Sequence, residues 1–174
     1  MVKMKIFQTE ERNFIDSKMV IANMYRDDRK VYEIGMGVSY DSPLMILNSF
    51  EAVRRPYCKV NAIKTHYMEI FVEYEVGMPA AIMLAERVAH YFYQYGFQNY
   101  ITVIDNEDRY MIAIALNSVS YKNGSLFHDN NACYIELFHF LCSVLPVGMS
   151  VSVEQNVVFE LGRPKGNYCH GEYA

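Results

Sequence analysis

In "THYMEIFVEYE" apolar and polar residues alternate with period two. Met68, Ile70, Val72 and Tyr74 fall on one side, Tyr67, Glu69, Phe71 and Glu73 on the other, and His66 is in phase with the apolar side. That pattern predicts a strand. The next run, "GMPAAIMLAERVAHYFYQYGF", changes to helical period: Pro79 suits its start, Ile82, Ala85, Ala89 and Phe92 line one face, and Gly96 ends it. A strand in "NYITVI", the acidic turn Asp105–Asp108 and a second strand in "RYMIAIALNSVSY" follow. On that last strand Met111, Ala113, Ala115 and Asn117 share one face and Ile112, Ile114 and Leu116 the other. A strand apolar on both sides is one buried on both.

The remaining segments complete the outline. "SPLMILNSFEAVRR" predicts a helix capped by Ser42, begun by Pro43 and buried through Leu44, Leu47, Phe50 and Val53. "KMKIFQ" reads as a strand, while "SKMVIANMY" fits helix or strand, because a short apolar run does not settle the period. Asn123-Gly124 signals a hairpin leading into "SLFH". "NNACYIELFHFLCSVL" predicts a helix with Ile135, Phe138, Cys142 and Leu145 inward, and "MSVSVEQNVVFEL" is strand-like. The expectation is an α+β fold, a mostly antiparallel central sheet with helices packed over one side, forming a single domain over residues 1–161. Residues 162–174 are expected to be a loose tail.

Composition narrows this little. With 52% apolar and 21% charged residues over 174 positions, the chain has the profile of one globular domain. No apolar run reaches the ~20 residues of a membrane span, and the charged start is no signal peptide. Cys58, Cys133, Cys142 and Cys169 lack framework spacing, which suits reduced thiols and a cytoplasmic location. The formal charge of −4 argues against a general nucleic-acid coat. Residues 1–64 nevertheless hold eleven Lys/Arg against eight Asp/Glu. Arg26, Arg29, Lys30, Arg54, Arg55, Lys59 and Lys64 are the candidates for contacts to an anion such as DNA phosphate, and a solvated surface is the simpler account of them.

Isolated candidates carry less. Cys133, His139 and Cys142 share one predicted helix, but only the last two face the same way, and Cys169-His170 in the tail could complete a zinc set only by coincidence. "GRPKG" lacks the phosphate-loop pattern. Asp105, Glu107 and Asp108 read as a solvated turn. The aromatic group Tyr91, Phe92, Tyr93, Tyr95, Phe97 and Tyr100 could stack bases, yet a helix covering a sheet explains it more simply.

Taken in order, several of these segments resemble the relaxase, or mobilisation nuclease, family of the MobA/MobL type, carried by bacterial plasmids and integrative elements. His66, Tyr67, Phe71 and Glu75 match its His-aromatic…Phe-x-x-x-Glu strand. "NSVSYKNGSLFH", through Asn117, Ser118, Val119, Ser120, Asn123, Gly124, Phe127 and His128, matches the segment after its His-x-His strand. "GMGVSYDSPLMILNSFEAVRR" resembles its Gly-Val segment and following helix, so the similarity spans about residues 20–150. The resemblance implies an HUH endonuclease-like domain. Family members nick one DNA strand with a tyrosine nucleophile, helped by a divalent metal on three imidazoles that draws charge from the phosphate.

In this chain the three imidazole positions fall on Ile104, Met111 and Ala113, and none of these can hold a hard divalent cation. The nucleophile position falls on Met24, with Tyr25 beside it; His66, Asn117 and His128 are candidate remnants of the site. No cofactor or metal is expected. The resemblance thus implies a catalytically inactive relaxase-like protein of a mobile element, retained to bind single-stranded or hairpin DNA or a mobilisation or replication partner. The alternatives are a protein-interaction or structural homodimer without a DNA role, and a residual metal-dependent nicking enzyme. Ile104, Met111 and Ala113 are expected to converge near His66 and near Met24 or Tyr25.

Overall fold

The computed structural model describes the backbone of residues 2–7, 14–59, 65–128, 131–145 and 151–156, and the side chains within 17–59, 65–128 and 132–145. The elements are β1 (Val2–Phe7), α1 (Phe14–Arg26), β2 (Lys30–Met36), α2 (Pro43–Arg54), β3 (Thr65–Glu73), α3 (Met78–Gln94), β4 (Asn99–Asp105), β5 (Arg109–Asn117), α4 (Asn131–Val144) and β6 (Val151–Asn156). The ambiguous "SKMVIANMY" is helix. Its Ile21 and Met24 are buried and three residues apart, a spacing that only a helix turns to one side.

The strands form one sheet in the order β2-β4-β5-β3-β1-β6, so β5 is central. Every pairing is antiparallel except β1 with β6, which is parallel. Since β3 and β4 both run against β5, they run with each other. The helix joining them, α3, must cross the sheet, as the strand-helix-strand pattern predicts. The acidic turn closes β4 onto β5 through Asn106 N–H to Arg109 O at 3.0 Å.

The alternation along β3 and β5 sorts their side chains onto two faces, and both faces are covered. Met68, Ile70, Val72, Ile112, Ile114 and Leu116 meet α3 and α4 through Leu84, Val88, Phe92, Leu137 and Leu141. On the opposite face Ile104, Ala113, Ala115 and Tyr100 meet α1 and α2 through Ile21, Met24, Ile46 and Phe50. Helices on both faces replace the expected single layer. The sequence already contained the reason: β5 is apolar on both sides, and one layer would have left half of it in water.

Two helices turn other faces inward than their spacing predicts. In α2 the buried residues are Ile46, Phe50 and Arg54, and Leu44 is 61% exposed. Ser42 and Pro43 do begin it, with Met45 N–H donating to Ser42 Oγ at 3.3 Å. In α4 the buried stripe is Tyr134, Leu137 and Leu141, with Ile135 52% exposed and Cys142 exposed. Both helices carry more apolar residues than one face holds, so periodicity alone allowed two solutions.

The Asn123-Gly124 segment closes a minimal hairpin, as expected: Val119 and Leu126 form an antiparallel bridge, with Ser120 N–H donating to Ser125 O and Phe127 N–H to Ser118 O, each at 2.8 Å, and Gly124 N–H donates to Ser120 O at 2.9 Å. Gly124 has φ +71° and its Cα lies against the Tyr57 ring, two reasons for glycine there. The predicted tail 162–174 lies outside the described residues.

Candidate functional site

β5 sets the geometry. Ile104 on β4 lies directly opposite Met111, and Ala113 is two residues further along the same face. Helix α1 crosses above them. Its Val20, Asn23 and Met24, with Asp27 just past its end, form one wall of an open cavity of about 220 Å³. The sheet wall is Tyr67, Ile104 and Met111. Ala113 lies just beyond, packed in one cluster with Met24 and Ile104. Four of the positions that the sequence marks out (Met24, Ile104, Met111 and Ala113) therefore stand together under one helix.

The chemistry of the cavity is that of an apolar floor with a polar rim. Met24, Ile104, Met111 and Val20 offer only carbon and thioether sulfur. Tyr67 donates its hydroxyl proton to Glu69 Oε1 at 2.8 Å. The Asp27 carboxylate is occupied by Arg29, whose Nε and backbone N–H both donate to Oδ1 at 3.0 Å and whose Nη2 donates to Oδ2 at 2.8 Å. Those bonds hold the Asp27 carboxyl below the usual range. No Lys, Arg or His stands among the wall residues.

Tyr25 is turned elsewhere: its hydroxyl donates to Asp41 O at 2.7 Å, and the Lys30 ammonium lies 4.7 Å above its ring. Lys30 also donates to Glu33 Oε2 at 2.6 Å, as does the buried Tyr100 hydroxyl, also at 2.6 Å. Burial, and then the Glu33 carboxylate, raise the Tyr100 pKa well above that of a free phenol.

The candidate remnants do not join the cavity. His66 pairs with Leu116 and sits on the α3 face, its ring edge-on to Phe127 with centroids 5.0 Å apart. One residue of register separates it from the face of Ile104, and on a strand one residue means the opposite side. His128 is exposed beyond the turn. Asn117 is on the cavity face but further along β5, where it is tied into the interior. Its Nδ2 donates to Phe50 O at 3.1 Å and to Gln98 Oε1 at 2.8 Å.

Asn117 also accepts from Arg54 Nε at 2.9 Å. Arg54 is 4% exposed and thus no contact for an outside phosphate, which corrects the expectation for this residue. Desolvation lowers its pKa to about 10, so it remains charged at neutral pH. Of the other basic candidates, Arg29 is committed to Asp27 and Asn106, Lys30 to Glu33, and Arg55 lies 3.9 Å from Glu51. Arg26 and Lys59 are exposed, and Lys64 lies outside the described residues.

The other candidates disperse. Asp108 pairs with Arg109, and Asp105 accepts from the Glu107 backbone N–H. Among the described residues no three His, Cys, Asp or Glu side chains are grouped so as to hold a metal. The segment "GRPKG" and Cys169-His170 lie outside the described residues. Tyr91 and Phe92 are buried against the sheet, Tyr100 is buried on the opposite face, and the stacking group is thereby divided. No helix among the described residues is long and apolar enough to cross a membrane.

Sequence reasoning missed Val20, Asn23, Asp27 and Tyr67. The signal was present in "VIANMYRD", whose helical spacing would have shown the wall once the segment was taken as helix. No protein-family model matches the chain, no curated protein is significantly similar to it, and no solved structure matches it significantly.

Proposed function

We propose that the chain is a relaxase-like binding module that has given up metal-dependent nicking and binds single-stranded or hairpin DNA. One observation carries this reading: Ile104, Met111 and Ala113 share a sheet face directly beneath Met24. That is the meeting of strand positions and helix position that the resemblance to mobilisation nucleases implies, with every donor atom replaced. Arg54 is buried, and Arg29 and Lys30 are paired with Asp27 and Glu33, which leaves Arg26, Arg55 and Lys59 exposed among the described basic candidates. Three phosphate contacts would give log K against log salt a slope of about −2 on single-stranded DNA. Fluorescence anisotropy with single-stranded and hairpin DNA tests the reading, and no binding even at low salt removes it.

A second reading has its own support. Leu44 and Met45, adjacent at the start of α2, are exposed, as is Met19 on α1. Such side chains suit a protein partner or a second copy of the chain. Light scattering across a concentration series tests the second copy, which a monomer at all concentrations excludes. A nicking assay on supercoiled plasmid with Mg²⁺ or Mn²⁺ tests the remaining alternative of residual nuclease activity; nicks would overturn the leading proposal.

A further inference from the structure

We infer that Asn123–Gly124 is a shielded site of spontaneous deamidation, kept unreactive by the turn around it and by the Tyr57 ring, and uncovered when that ring lifts. Its chemistry is independent of the proposed binding role. The chain has a single Asn-Gly pair. In an open chain the glycine nitrogen, once hydroxide has taken its proton, attacks the asparagine Cγ. An N–Cγ bond forms, the side-chain nitrogen leaves as ammonia, and water opens the five-membered imide to aspartate or isoaspartate. Glycine favours the attack because no Cβ crowds its nitrogen. Nothing is oxidised or reduced.

The folded turn separates the two halves of that reaction. Asn123, which carries the electrophile, is exposed, whereas Gly124, which carries the nucleophile, is buried. Gly124 N–H donates to Ser120 O at 2.9 Å, and its Cα lies against Tyr57, which covers it from just past the end of α2. A bonded, covered N–H loses its proton only when the structure opens locally. The Asn123 carboxamide is held as well, its Oδ1 accepting from Ser125 N–H at 3.0 Å. Neighbouring segments brace the turn. Tyr121 N–H donates to Gly96 O at 2.8 Å, its hydroxyl to Tyr93 O at 3.0 Å, and the Tyr57 hydroxyl to Tyr121 O at 3.4 Å.

The reaction runs one way. An aspartate product keeps an oxygen for Ser125 N–H. Isoaspartate instead places an extra methylene in the main chain, between residues whose spacing the 2.8 Å bond from Ser120 N–H to Ser125 O fixes. The turn cannot then reclose as it was, and a transient opening leaves a permanent mark.

The test incubates the full chain at mildly alkaline pH, folded and in denaturing urea, and follows deamidation at Asn123 by peptide mass spectrometry. Folded wild type is expected to react about thirtyfold more slowly than the unfolded chain, the factor that two net hydrogen bonds of ordinary strength supply. Tyr57→Ala should raise the folded rate about tenfold with an unchanged circular dichroism spectrum, and Tyr57→Phe, which keeps the ring, should match wild type. Equal rates in folded and unfolded wild type overturn the inference, as does a folded Tyr57→Ala variant that reacts no faster. Where Tyr57→Ala does not fold, hydrogen exchange at the Gly124 amide of wild type decides. A slowed amide supports the shield, and exchange at the rate of a free peptide overturns it.

Discussion

Replacing Arg54 by alanine separates an interior clamp from a surface contact. Its Nε–Asn117 bond at 2.9 Å is charge-assisted, and such bonds contribute about 2 kcal/mol. The Nη2–Thr65 contact at 3.4 Å and the Glu51 carboxylate at 3.8 Å add little. Burying the three methylenes of the stem adds about 2 kcal/mol. Against this stands the desolvation that lowers the pKa from 12.5 to about 10, a cost of about 3 kcal/mol for the charged form. Removing the side chain recovers that cost but leaves Asn117 Oδ1 buried without its main donor, for about 1 kcal/mol more. Arg54→Ala should therefore destabilise by about 2 kcal/mol. Arg54→Met keeps most of the stem and sheds the charge, so it should cost about 1 kcal/mol or less. Urea unfolding followed by circular dichroism measures both, with a midpoint drop near 1 M expected for alanine if m is ~2 kcal/mol/M. An alanine variant within about 0.5 kcal/mol of wild type, a typical surface effect, would refute the clamp. So would a methionine variant as unstable as the alanine one.

Thr102 is fully buried with its hydroxyl unpartnered among the described residues, so Thr102→Val should raise stability by about 1 kcal/mol in the same assay. A Cβ at residue 124 would meet the Tyr57 ring at a backbone angle that L residues avoid, so Gly124→Ala should lower stability by about 2 kcal/mol. The Asp27 carboxyl has its pKa lowered by Arg29, so its contribution is present above the ordinary carboxylate pKa and is lost as pH falls through the lowered one. The stability gap between wild type and Asp27→Asn should thus be widest near neutrality and close below pH ~4. A gap that is constant over pH 3–7 would show that the clasp contributes nothing.

The two-sided strand β5 was legible in the sequence because strict alternation of aliphatic residues has one physical solution. The same holds for β3 and α3, where a period is sustained over many residues. What was not legible was the choice between competing faces. In α2 and α4 apolar residues surround most of the helix, and which stripe is buried depends on the partner surface rather than on the helix itself. The meeting of Met24 with Ile104 and Met111 could be expected only through the resemblance, since about eighty residues separate them. His66 was expected near them for its chemistry, although its phase along β3 already assigned it to the other side. Arg54 was read by its charge, and nothing in "EAVRRPY" distinguishes the buried arginine from the exposed one beside it.

The parallel pairing of β1 with β6 joins Val2 to Val151. During synthesis β1 can pair with β3 as soon as Glu73 has been made, yet β6 follows β3 by more than seventy residues. Until then β1 is a bare edge, with unpaired N–H and C=O groups open to any extended segment, including another nascent copy. Assembly of this sheet thus has a vulnerable interval that ends only when β6 arrives, and its length is set by the pace of synthesis rather than by the stability of the finished fold.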